Sequence, residues 1–149
     1  MRRPESAELS ALYQEMILDH YRRPRNKGTL ENADASVEMK NPLCGDEIGL
    51  QVSFDGDQIR EVKFSGRGCS ISQASASMMT QLLKGKTRAE IDSIRTGFRE
   101  LMLGTEPQPT DDLGPLRALS GVARFPARVK CALLAWNALE SALARKAAE

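Results

Sequence analysis

Apolar residues recur at three- and four-residue spacing at Leu9, Leu12, Tyr13, Met16 and Ile17, which predicts a helix that Ser6 can cap and that ends before Pro24. The period then drops to two. Val37 and Met39 alternate with Glu38 and Lys40 up to Pro42, and Ile48, Leu50, Val52 and Phe54 alternate with Gly49, Gln51 and Ser53. Asp55-Gly56 supplies a hairpin turn, and Ile59, Val62 and Phe64 form the returning strand. Helical spacing then resumes. Small polar residues fill 70–77 ahead of Met78, Met79, Leu82 and Leu83, a weakly patterned helix closed by Gly85. Thr87 with Glu90 three positions on is a capping box for the next helix, through Ile91, Ile94, Phe98 and Leu101. Residues 104–115, rich in proline, glycine and aspartate, read as a surface loop with a little local structure over 113–119. Pro126 opens a last helix whose packing stripe is Val129, Leu133, Trp136 and Leu143. The expected fold is α+β: a three-stranded antiparallel sheet with helices on one face.

Composition narrows the function classes. With 149 residues, 41% of them hydrophobic, the chain is expected to form a single domain over 1–149. Lysine and arginine total 21 against 20 aspartate and glutamate, so neither nucleic acid nor a membrane is an expected partner. No apolar run approaches the roughly 20 residues that span a bilayer, and the expected location is the cytoplasm. Disulfides are disfavoured there, which directs the three cysteines towards metal binding or thiol chemistry.

Cys44, Cys69 and Cys131 each stand where a loop meets an ordered element, and Asp46 follows Cys44 by two. Three thiols and one carboxylate make a complete tetrahedral zinc set. Gly45 lets the chain bend so that Cys44 and Asp46 can point at one centre. Cys69 opens a helix, where the dipole favours thiolate. Cys131 lies off the stripe of the last helix and meets the others only through the fold. Arg128, one turn before Cys131, is the expected cation beside the site, and Asp46, the harder ligand, is the one expected to be displaced. The lone His20 is read as a packing or surface residue and Trp136 as a packing anchor. Ser70, Ser72 and Ser75 lack a partner histidine for hydrolase chemistry, and Gly66-Arg67-Gly68 lacks the lysine and hydroxyl of a phosphate loop.

Asp19-His20-Tyr21, Pro24-Arg25-Asn26, Gly28, Asn41-Pro42-Leu43-Cys44-Gly45-Asp46, Phe64, Gly66, Gly68-Cys69, Ile71-Ser72 and Cys131 together resemble the IscU-type, NifU N-terminal-like proteins of iron–sulfur cluster assembly, over nearly the whole chain. Lys130 stands where IscU scaffolds carry histidine, and residues 104–124 are an insertion those scaffolds lack. Both departures resemble the SufU branch. The resemblance implies a SufE/NifU (IscU-like) fold, one zinc per chain on Cys44, Asp46, Cys69 and Cys131, and Arg128 near the metal. It further implies a sulfurtransferase in which Cys44 accepts persulfide sulfur from a SufS-type cysteine desulfurase, with a SufBCD-type scaffold or another acceptor downstream. The alternative is a scaffold that builds an iron–sulfur cluster on the same cysteines.

Overall fold

The structure, a computed structural model, describes residues 4–104 and 110–148. Its elements are α1 (Pro4–Arg22), β1 (Ala35–Asn41), β2 (Asp46–Asp55), β3 (Gln58–Arg67), α2 (Ser70–Leu83), α3 (Arg88–Leu103), a 3-10 segment (Asp111–Arg124) and α4 (Pro126–Ala148). The three strands form an antiparallel meander in the order β1-β2-β3. Val37 pairs with Leu50, Leu50 with Phe64 and Val52 with Val62, so the period-two apolar positions share one face. Helices α4 and α2 pack on that face, α1 packs on α2, and α3 packs on α4. The expected α+β architecture is borne out. α1 already runs from Pro4, so Ser6 lies within it; the side chains of Ser6 and Leu9 fall outside the described residues.

The linker after α1 fastens to the sheet. Gly28 donates its N–H to the Phe64 carbonyl and Phe64 donates back to Asn26 O, occupying part of the free edge of β3. Leu30 N–H donates to the Gln51 side chain, on the face opposite the buried Leu50. The capping box at Thr87 and Glu90 is present with both of its reciprocal bonds.

One segment differs from the sequence expectation. The 3-10 segment is no surface excursion: Leu113, Leu116, Leu119 and Val122 are buried and pack it onto α1, α2, α3 and α4. Gly114, at φ +52 and ψ −127, breaks the segment after Leu113, and beyond it Leu116, Leu119 and Val122, three apart and so eclipsed on a 3-10 helix, make one apolar stripe. Residues 105–109 of the expected loop lie outside the described residues. In α2, the polar helix positions Ser72, Ser75, Ser77 and Thr80 are wholly buried, although a polar helix face is ordinarily the solvated one. Small side chains let α2 lie close to α4, and their hydroxyls have partners: Ser75 donates to Ala132 O at 2.7 Å and accepts from the Trp136 indole at 3.2 Å. Trp136 also packs on Phe98, with ring centroids 5.1 Å apart, which bears out its reading as an anchor.

His20 is buried against the same helix. Ser77 Oγ accepts the Arg25 N–H at 2.8 Å and lies 2.8 Å from His20 Nδ1. Burial first, and Arg25 second, push the His20 pKa down to about 4, against a weaker opposing pull from Asp19. Protonation therefore favours the unfolded chain. Stability is expected to be full above pH 6.5 and to fall as pH drops from 6.5 towards 4, by on the order of 3 kcal/mol from this group alone. Urea unfolding at pH 7 and pH 5 should show the decline in wild type and a much smaller one in His20→Asn; equal slopes would remove the assignment.

Candidate metal centre

One end of the sheet gathers the chemistry. Strand β1 ends and β2 begins at the Asn41–Asp46 pair, and the chain between them makes a tight turn in which Cys44 N–H and Gly45 N–H both donate to Asn41 O. Gly45 adopts φ +70, a left-handed conformation that side-chain-bearing residues avoid. Cys44 is thereby left exposed at the turn, while Asp46, the first residue of β2, is wholly buried.

Strand β3 then delivers Cys69. Gly66 and Gly68 have φ +140 and +148, and a Cβ on Gly68 would stand 2.3 Å from Asp46 Oδ1. Only glycine allows the two segments to approach this closely. Cys69 becomes the N-cap residue of α2, and its backbone N–H donates to Asp46 Oδ1 at 2.8 Å. The carboxylate thus caps the helix from another strand. Cys69 Sγ lies 3.9 Å from Asp46 Oδ2, and Ser72 Oγ donates to Cys69 O at 3.1 Å.

Cys131 comes from α4 and is fully buried. Its Sγ lies 3.2 Å from Cys44 Sγ and 3.9 Å from Asn41 Nδ2. Burial first, then contact with Asp46, Cys44 and Cys69, holds this thiol well above the ordinary cysteine range. The donor atoms of Cys44, Asp46 and Cys131 all lie within 4.8 Å of one another. A tetrahedral centre with metal–sulfur bonds of about 2.3 Å has donor separations of about 3.8 Å. The cluster therefore matches a thiolate-rich metal site in size and donor chemistry. Cys69 Sγ is outside the 4.8 Å set but adjoins it through Asp46.

The sequence-expected residues divide accordingly. Cys44, Asp46, Cys69 and Cys131 are brought to one place. Arg128, one turn before Cys131, is exposed on the first turn of α4, with no side-chain hydrogen bond or ion pair among the described residues. A polar group beside Cys131 is the amide of Asn41, which sequence reading passed over although it opens the Asn41-Pro42-Leu43-Cys44 run. Asp46 as the ligand to be displaced also fits poorly, because it is buried and held by the Cys69 amide, whereas Cys44 is the exposed member.

Residues 12–132 match the NifU-like N terminal domain. The chain belongs to this family. Among NifU-like relatives, it is 50% identical over 141 residues to the zinc-dependent sulfurtransferase SufU of Bacillus subtilis (strain 168), covering 95% of each chain. It is 44% identical to the iron–sulfur cluster assembly scaffold protein IscU of Streptococcus pyogenes serotype M1, over 95% of this chain and 88% of that one. The crystal structure of a SUF-system scaffold protein from Fervidobacterium islandicum AW-1 superposes with a TM-score of 0.81 at 43% identity, over 87% of this chain and 94% of that one. The resemblance carried by the motifs is thus borne out in sequence and in fold. No described helix of this NifU-like chain is long and apolar enough to cross a membrane.

Proposed function

We propose that this chain is a zinc-dependent sulfurtransferase that takes persulfide sulfur from a SufS-type cysteine desulfurase and passes it towards iron–sulfur cluster assembly. The observation that carries the reading is an exposed thiol, Cys44, set against buried Asp46 and Cys131 donors. Cys44, Asp46, Cys69 and Cys131 would hold the zinc. Bound zinc would favour the thiolate form of Cys131, which burial otherwise keeps protonated. Cys44 is the acceptor because it is the thiol a second protein can reach. Its sulfur attacks the outer sulfur of the desulfurase persulfide; a Cys44 S–S bond forms, the donor S–S bond breaks, and the desulfurase thiolate leaves. Asp46 and the Cys69 amide keep the base of the site in place while the turn at Gly45 presents the thiol.

The test is alanine release from cysteine by the cognate desulfurase, with a mild reductant to recycle persulfide. Zinc-loaded protein is expected to stimulate turnover, and stripping the metal is expected to remove the stimulation while much of the helical signal in circular dichroism persists. Absence of stimulation, together with assembly of an iron–sulfur chromophore on the chain, would instead favour a scaffold built on the same cysteines. Collapse of the fold on chelation would make the metal purely structural.

A further inference from the structure

Cys131 has chemistry beyond holding a metal. Its Sγ is 3.2 Å from Cys44 Sγ, about 1 Å more than a disulfide bond of about 2.0 Å. The partner thiol is not held in the core: it is exposed on a turn made by a left-handed glycine. Cys131 itself is fully buried, so its reach is limited to groups inside the site. Cys69 is the poorer partner, standing outside the compact donor set with Asp46 as its neighbour.

We propose that Cys131 is a resolving thiol: on a persulfide carried by Cys44 it attacks the inner sulfur, closes a Cys44–Cys131 disulfide and releases sulfide. This rests on Cys44 being the sulfur acceptor. The bond between Cys44 Sγ and the outer sulfur breaks, and the bond between the two Sγ atoms forms. The outer sulfur leaves with the electron pair as hydrosulfide and takes up the Cys131 proton. The sulfane sulfur is reduced as the two cysteine sulfurs are oxidised, so the step needs no outside oxidant. A dithiol reductant resets the pair. Metal coordination occupies Cys131, so the reaction belongs to chains that have lost their metal: such a chain discharges its sulfur and closes its own acceptor site.

The experiment treats the full, metal-stripped chain with cysteine persulfide, then reads sulfide by colorimetry, intact mass, and disulfide-linked peptides under non-reducing conditions. Wild type is expected to release stoichiometric sulfide, to lose two hydrogens and to yield a 44–131 linked peptide. Cys131→Ser is expected to keep one extra sulfur and to lose the sulfide release, and Cys131→Ala, which leaves a small apolar group in the buried slot, to do the same. Zinc-loaded wild type is expected to keep its extra sulfur. Wild type that holds the extra sulfur without sulfide release, or a 44–69 link in place of 44–131, would overturn the resolving role. A Cys131→Ser chain that never gains sulfur would overturn the acceptor reading itself, and this inference with it.

Discussion

Alanine in place of Gly68 is expected to empty the metal centre. The added Cβ would sit 2.3 Å from Asp46 Oδ1, 2.8 Å from Asp46 Cα and 3.0 Å from Asp46 Cβ, and the residue would be held at φ +148. Neither side can yield cheaply. Asp46 is wholly buried in the sheet, and moving its carboxylate breaks the 2.8 Å bond from the Cys69 amide. Backbone strain and the lost bond together cost about 2–4 kcal/mol, placed on two of the four donor-bearing residues. Zinc retention against a competing chelator should fall by at least about tenfold, since 1.4 kcal/mol corresponds to that factor. Gly45→Ala is the control: a Cβ there meets nothing within 4 Å, so only the cost of its left-handed backbone, about 1–2 kcal/mol, applies. A Gly68→Ala protein that holds zinc as tightly as wild type would show that the close approach of β3 to Asp46 is not what builds the site.

Cys44→Ser is expected to bring stimulation of the desulfurase down to background while leaving the metal-free fold almost untouched. Cys44 is exposed, and its thiol lies outside the apolar core, so thermal unfolding of the metal-free variant should stay within about 0.5 kcal/mol of wild type. The contrast is Cys131→Ser. That change places a hydroxyl in a fully buried slot facing the Asn41 amide and costs about 1–3 kcal/mol if its hydrogen bonds are incomplete. The pair separates reactivity from stability. Turnover measured with each variant, beside its melting curve, checks it; residual stimulation by Cys44→Ser would move the accepting sulfur to Cys69 or Cys131.

The fold was legible wherever one residue pattern had one physical meaning. Alternation at Val37 to Met39 and Ile48 to Phe54, with the returning strand of Ile59, Val62 and Phe64 after the Asp55-Gly56 turn, is the meander, and Thr87 with Glu90 is a helix start. Residues 104–115 read as a surface loop with a little local structure over 113–119, because glycine, proline and aspartate there outweigh a stripe at 116, 119 and 122 whose period of three belongs to a 3-10 helix. The burial of the α2 serines is not legible in sequence, because a buried serine and a solvated one look alike until their partners, Ala132 O for Ser75 and His20 for Ser77, come from remote parts of the chain. At the site, the four donor residues were readable from chemistry and position. Arg128 shares a face with Cys131 by helical spacing and is exposed at the start of α4; Asn41 lies 90 positions from Cys131, a separation that only the β1–α4 packing closes.

The way Asp46 divides its two oxygens has a consequence for ion selectivity. Oδ1 accepts the Cys69 amide while Oδ2 is 3.9 Å from Cys69 Sγ, so Oδ2 is the better placed of the two to meet an ion at this centre. A single carboxylate with one oxygen already hydrogen-bonded is a sparse supply of hard donors, and the sulfur neighbours add none. Calcium, which gathers six to eight oxygens, and magnesium, which asks for an octahedron of them, are poorly served by such a shell. A small, four-coordinate, sulfur-tolerant ion is well served. Discrimination between metals thus lies in the donor set that β2, α2 and α4 bring together, with the backbone hydrogen bond at the start of α2 fixing how its one carboxylate is turned.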